Sequence, residues 1–185
     1  MSKRSHLLLS ILSATALAFG LAGCAGEVPM EPAEGANDPA CAELIVRLPS
    51  SVSGLDKRAT NAQATGAWGD PVGVELRCGI EPSGPTTDRC VHVVGVDWII
   101  DESNAPLYRF EPYGRSPGVE VFVNSEIASG TLTVTDLAAS IKVLPQTREC
   151  VGAVDFADPE QAFEQDESTQ TEEPAEAAEP SESPE

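Results

Sequence analysis

The chain has 185 residues, with 30 acidic and 11 basic side chains, a formal charge of −19, 41% apolar and 5% aromatic residues, and five cysteines. That length allows one ordinary domain with extensions rather than two large ones. The acidity argues against nucleic acid, which is held by clustered Lys and Arg, and against electrostatic docking on an anionic membrane.

The first segment reads as an export signal: Lys3 and Arg4 precede an uncharged, mostly apolar run over residues 7–20, and small residues follow. The run is shorter than the roughly 20 apolar residues a spanning helix needs, and no basic stop-transfer flank follows it. Leu21-Ala22-Gly23-Cys24 looks like a bacterial lipobox. Its expected products are a signal peptide of residues 1–23 and a Cys24 thiol that carries a diacylglyceryl group through a thioether. Two or more acyl chains anchor stably, since each buried CH₂ contributes roughly 0.8 kcal/mol. The expected partner is thus the membrane, through Cys24, and the expected location is the extracytoplasmic face of the plasma membrane.

Residues 24–40 contain Pro29, Pro32, Pro39 and four acids without an apolar period. Such a stretch predicts an extended, solvated tether, reaching up to roughly 50 Å at about 3.1 Å per residue. Residues 41–150, with 14 acids and 9 bases, are the expected globular domain; that length supports one modest core. Asp38 and Pro39 suit a helix start, and Ala42, Ile45, Val46 and Leu48 fall at helical spacing, so a helix is predicted over Ala40–Leu48, stopped by Pro49. The polar stretch Arg58–Thr65 predicts an edge strand, and the alternation of Val72, Val74 and Leu76 predicts another. Gly79–Arg89 reads as a loop. Val91–Val94 and Val96–Ile100 read as strands around Gly95, and Leu107–Tyr113 with Val119–Val123 as a hairpin. Leu137, Ile141 and Leu144 mark a closing helix ended by Pro145, while Thr131–Thr135 fits either a strand or an early turn of that helix. The predicted fold is a small α+β two-layer domain: an antiparallel sheet of about four to six strands packed by an N-terminal and a C-terminal helix. Residues 151–185, with 12 acids and no base, have the composition of an acidic disordered tail.

Setting Cys24 aside leaves Cys41, Cys78, Cys90 and Cys150, an even number that suggests two disulfides in an exported chain. Three connectivities are possible. Cys78–Cys90 is favoured because the pair brackets a Pro/Gly loop between predicted strands, and Cys41–Cys150 because it staples the opening helix to the segment after the closing one. The absence of any Cys-x-x-Cys pair argues against zinc and against dithiol redox chemistry.

No nucleophile–base set emerges. His92, the one histidine after the signal, lies in a predicted strand, and no Gly-x-Ser-x-Gly elbow accompanies it. Asp97 and Asp101 are its nearest candidate co-ligands, but no calcium-loop pattern appears, and the glycines lack Walker or dinucleotide spacing. Neither a metal nor a cofactor is expected. Trp68, between Gly66 and Gly69 and followed by Asp70, either stacks on a sugar ring or clamps a peptide, or else folds back as a core anchor; the scarcity of aromatics favours the anchor. Arg115, in the predicted hairpin turn, is either an anion contact or a solvated charge. The expected role is a non-catalytic binding or scaffolding lipoprotein whose partner is an envelope protein or a glycan. The alternative is an envelope hydrolase using a carboxylate pair near Trp68 or Trp98, drawn from Asp70, Asp97, Asp101 and Glu102.

One ordered set of segments goes further: Asn37-Asp38-Pro39-Ala40-Cys41, Arg47-Leu48-Pro49, the run from Gln63 to Pro71, Leu76-Arg77-Cys78-Gly79, Pro85-Thr86-Thr87-Asp88, Val96-Asp97-Trp98 and Tyr113-Gly114-Arg115. Together they resemble a family of uncharacterised actinobacterial lipoproteins, a domain-of-unknown-function family, over about residues 20–150. The resemblance implies an envelope lipoprotein and brings no known activity or catalytic residue to carry over.

Overall fold

The first helix starts where the sequence supplies a cap. In the computed structural model, which describes residues 26–151 and 154–156, the Asp38 carboxylate accepts from the Ala40 N–H at 2.8 Å and Pro39 opens α1 (Pro39–Val46). A proline at the first turn loses no hydrogen bond, because that N–H has no partner within the helix. The second helix, α2 (Gly130–Ile141), starts at Ser129, whose hydroxyl accepts from the Leu132 N–H at 3.3 Å. The ambiguous threonines therefore belong to this helix. Thr133 and Thr135 donate their hydroxyls to the carbonyls four residues back, both at 2.8 Å, which lets β-branched polar residues sit inside a helix.

The strands are β1 (Ser51–Val52), β2 (Leu55–Arg58), β3 (Thr65–Trp68), β4 (Val74–Ile80), β5 (Cys90–Val93), β6 (Val96–Asp101), β7 (Leu107–Pro112), β8 (Gly118–Asn124) and β9 (Val154–Phe156). They form one nine-stranded sheet in the order β1-β2-β3-β4-β8-β7-β6-β5-β9, antiparallel throughout except for the β5–β9 pair. The α+β architecture is the expected one, but the sheet is wider than four to six strands. The expected edge strand Arg58–Thr65 is instead mostly the link from β2 to β3, and the surplus comes from the short strands β1 to β3 and from β9, which lies within the expected tail.

The sheet has two unlike faces. Val74, Leu76 and Cys78 of β4 and Val119, Val121 and Val123 of β8 point to one side, where they are buried with Trp68, Trp98 and Phe110 against Leu44 of α1 and Val134, Leu137 and Ile141 of α2. The intervening positions carry Glu75, Arg77, Glu120 and Phe122 to the other side, which neither helix covers.

This layout decides the disulfides, and the pairing differs from the expected one. Cys41 joins Cys78 and Cys90 joins Cys150, with Cα separations of 5.7 and 6.4 Å. Cys78 and Cys90 flank a loop but not a hairpin: β8, β7 and β6 stand between β4 and β5, which puts the two strands roughly 19 Å apart at the usual strand spacing. Cys78 faces the helices and meets α1, whereas Cys90 sits on the opposite face and meets the segment after α2. By the chain-entropy model, closing loops with separations of 37 and 60 residues stabilises by about 4 kcal/mol each.

The segment expected as a free tether is docked from Gly26 onward. The Val28 N–H donates to Ala59 O at 2.8 Å, Asn61 N–H donates to Val28 O at 3.2 Å, and Arg58 Nη2 donates to Gly26 O at 3.0 Å. Further on, the Gly35 N–H donates to Gly79 O at 2.9 Å, an approach so close that a Cβ at Gly35 would lie 2.7 Å from that oxygen. Val28 and Ala36 are buried. The sheet, rather than water, satisfies these backbone groups, so the prolines shape a strap instead of a spacer. At the other end, β9 extends the ordered part past Cys150. The predicted signal segment, Cys24 and the remainder of the predicted tail lie outside the described residues.

Peptide mapping under non-reducing conditions should therefore recover a Cys41–Cys78 and a Cys90–Cys150 linked pair. A Cys78–Cys90 linked peptide would contradict the strand order itself.

Candidate functional site

Trp68 is fully buried, and its indole N–H donates to Pro49 O at 3.1 Å. It is the core anchor rather than a ligand platform, and Gly66 explains why. A Cβ at Gly66 would lie 2.9 Å from the far edge of the indole ring, so the missing side chain is what lets the ring fold back. Asp70 stays on the surface and pairs with Arg58 at 3.4 Å, an exposed contact of little energetic weight. Arg115 is no surface anion contact: it is buried, its Nη1 donates to Leu144 O at 2.9 Å, and its Nε has no partner among the described residues. Burial pulls its pKa down, and the Asp97 charge acts the other way. Trp98 is also buried, and its Nε1 is likewise without a partner among the described residues.

The polar chemistry gathers instead on the helix-free face, at residues that sequence reasoning did not single out. Arg77 and Glu120 are direct cross-strand partners on β4 and β8, and Arg77 Nε donates to Glu120 Oε1 at 2.7 Å. Arg109 of β7 donates from Nε to Glu120 at 2.9 Å and from Nη2 to Glu111 at 2.8 Å. Glu111 also accepts from both the N–H and the hydroxyl of Ser83, each at 2.7 Å. Burial opposes the Arg109 charge, but the Glu120 hydrogen bond and the Glu111 carboxylate outweigh it and raise its pKa further. Glu111 is only 2% exposed and Glu120 5%, and the arginines and Ser83 replace the water that their carboxyl groups lose. The signal that could have found this belt is the alternation of charge with valine in β4 and β8, which marks the second face.

A second cluster lies toward β5. His92 and Asp97 are cross-strand partners, with His92 Nδ1 at 2.7 Å from Asp97 Oδ1. The other Asp97 oxygen accepts from the Cys150 N–H at 2.8 Å, which ties the Cys90–Cys150 disulfide to β6. Asp101, on the same strand face, does not join them. It accepts from the Ser103 N–H at 2.9 Å, and the Ser103 hydrogen bonds hold its carboxyl below the usual carboxylate range. Among the described residues there is no group of three or more His, Cys, Asp or Glu able to hold a metal ion.

Beside the belt lies an open recess of about 450 Å³ whose lining includes Ser83, Arg89, Ile99, Asp101, Glu102 and Arg109. It offers hydrogen-bonding groups of both signs around two apolar residues, Ile99 and Ile100. Within the belt, the carboxylates that converge are bridged by the guanidinium between them.

The two sets of residues should respond differently to substitution. Trp68→Ala should cost about 3–5 kcal/mol in denaturant unfolding, whereas Asp70→Ala should change stability by less than about 0.5 kcal/mol. Arg109→Met should cost about 3 kcal/mol, because it leaves two buried carboxylates short of their counter-charge. A Trp68→Ala protein as stable as its parent would overturn the core placement.

Neither curated proteins nor solved structures provide a match to this chain. A family model described as a protein of unknown function, DUF3515, matches residues 7–150, from within the predicted signal to the last cysteine. The chain belongs to the DUF3515 family.

Proposed function

We propose that this protein is a lipid-anchored, non-catalytic binding or scaffolding protein on the extracytoplasmic face of the plasma membrane, held there through Cys24. The observation that carries the reading is the pair of disulfides, Cys41–Cys78 and Cys90–Cys150, which suggests a domain outside the reducing cytoplasm. The predicted signal and the lipobox-like Leu21-Ala22-Gly23-Cys24 support export and anchoring. The recess beside Arg109 supports a polar partner, an envelope protein or a glycan, recognised by hydrogen bonds with Ser83, Arg89, Asp101 and Glu102.

The hydrolase alternative has weaker support. Glu111 and Glu120, the acids that converge, are each held by arginine, and Glu111 is held by Ser83 as well. Asp97, the buried acid beside Trp98, has both oxygens engaged by His92 and the Cys150 amide. A general acid needs a protonated carboxyl that the substrate can reach.

Cys24→Ala should abolish labelling by a radioactive fatty acid in cells; unchanged labelling would overturn the anchor. Cross-linking on intact cells carrying the lipidated, tagged protein should recover a discrete envelope partner, and this partner should be lost on Arg89→Glu. Recovery of the same partner from the Arg89→Glu protein would remove the recess as its binding site.

A further inference from the structure

The docked strap changes what an anchor at Cys24 does. Gly26 is already held by Arg58, and Val28 already bridges to Thr60 beside β2. Only one residue, Ala25, lies between Cys24 and Gly26. Two residue steps reach at most about 7 Å, and the four steps to Val28 at most about 14 Å. A chain that short cannot act as a spacer.

The opposite flank is far away. From β2 to β9 the sheet order counts seven strand steps, roughly 34 Å at the usual spacing. The acidic stretch of the sequence begins there, where the chain leaves β9 after Phe156.

We propose that the lipid anchor seats the domain directly on the bilayer by its β1–β3 flank, leaving the β5–β9 flank as the outward end. This inference rests on the lipidation of Cys24 proposed above. The partner surface is the outer leaflet, and the cause is the length of the leash rather than charge. The seated flank carries Asp56 and Asp70 beside Lys57 and Arg58, so it has no basic excess to draw it to anionic lipid. The seat also lifts the recess by Arg109, Ser83 and Asp101 off the membrane by several strand widths, since β7 and β6 stand toward the outward flank.

The chain carries its own gauge of this orientation. Beyond the predicted signal it has two lysines, Lys57 and Lys142. Lys57 lies on β2 at the seated flank; Lys142 follows α2 by the β5–β6 turn, where a Cβ at Gly95 would lie 3.0 Å from its Nζ. Both are exposed.

The experiment compares the lipidated protein in phosphatidylcholine vesicles with a lipidated variant that has about 12 Gly/Ser residues inserted after Cys24, which adds roughly 20 Å of mean reach. Both are treated with a water-soluble acylating reagent, and the Lys57-to-Lys142 modification ratio is read by mass spectrometry. The ratio should be severalfold lower at native length than with the spacer. Equal ratios would overturn the seating, and a low ratio that persists with the spacer would overturn the leash as its cause. The acyl mass on the N-terminal peptide is read in the same digest. Its absence would overturn the anchor and the seating together, whereas its presence with equal ratios would overturn the seating alone.

Discussion

The register between β4 and β8 is the constraint from which the rest of the structure follows. The two strands are far apart in sequence yet adjacent in the sheet, and their pairing sets Leu76 against Val121 on one face and Arg77 against Glu120 on the other. A slip of one residue would turn the charges into the core and the valines to solvent, so neither face tolerates it. The β7–β8 pairing places Arg109 and Glu111 of β7 next to Glu120, while the β4–β8 register aims Cys78 at α1. The disulfide and the helix packing follow from this register, and the charge belt follows from it together with the β7–β8 pairing.

That belt gives the domain a second interior without apolar packing. Glu111, Glu120 and Asp97 are nearly as buried as the valines, yet each oxygen that loses water gains an arginine, a serine, a histidine or a backbone amide. Such groups are expensive to leave unpaired and contribute little net stability when paired, so their effect is to fix one arrangement of the helix-free face. The loop at Ser83 and the segment leading to Cys150 are held to the sheet by these carboxylates. At the rim, Arg89 pairs with Glu102 at 3.4 Å and Asp101 accepts from the Ser103 N–H at 2.9 Å.

The two ends of the described chain meet the sheet at opposite flanks. The strap from Gly26 binds beside β2 and crosses to Gly79 on β4, while β9 closes the other edge beside β5. This placement separates the two ends by most of the strand order, since β2 and β9 stand seven steps apart. It also gives the domain a polarity along the strand order, which the proposed anchor at Cys24 would convert into an orientation.

Much of this was legible in the sequence. Asp38-Pro39 gave the first helix its start and alternating valines marked β8, because each of these signals depends on neighbours within a few residues, and the even set of cysteines announced two disulfides by its count. Trp68 with Gly66 was readable as an anchor for the same reason, the small residue two positions away being what frees the space. What only the tertiary structure decided is which distant segments meet: that β4 lies against β8 and not β5, so that Cys78 takes Cys41 and Cys90 takes Cys150; that a proline-rich acidic strap docks instead of trailing; that Arg115 is buried beneath Leu144; and that Arg109 bridges Glu111 and Glu120. Local pattern reports the face a residue turns to, but partners across a sheet depend on strand order, and strand order is settled by how the whole set of apolar faces can be buried at once.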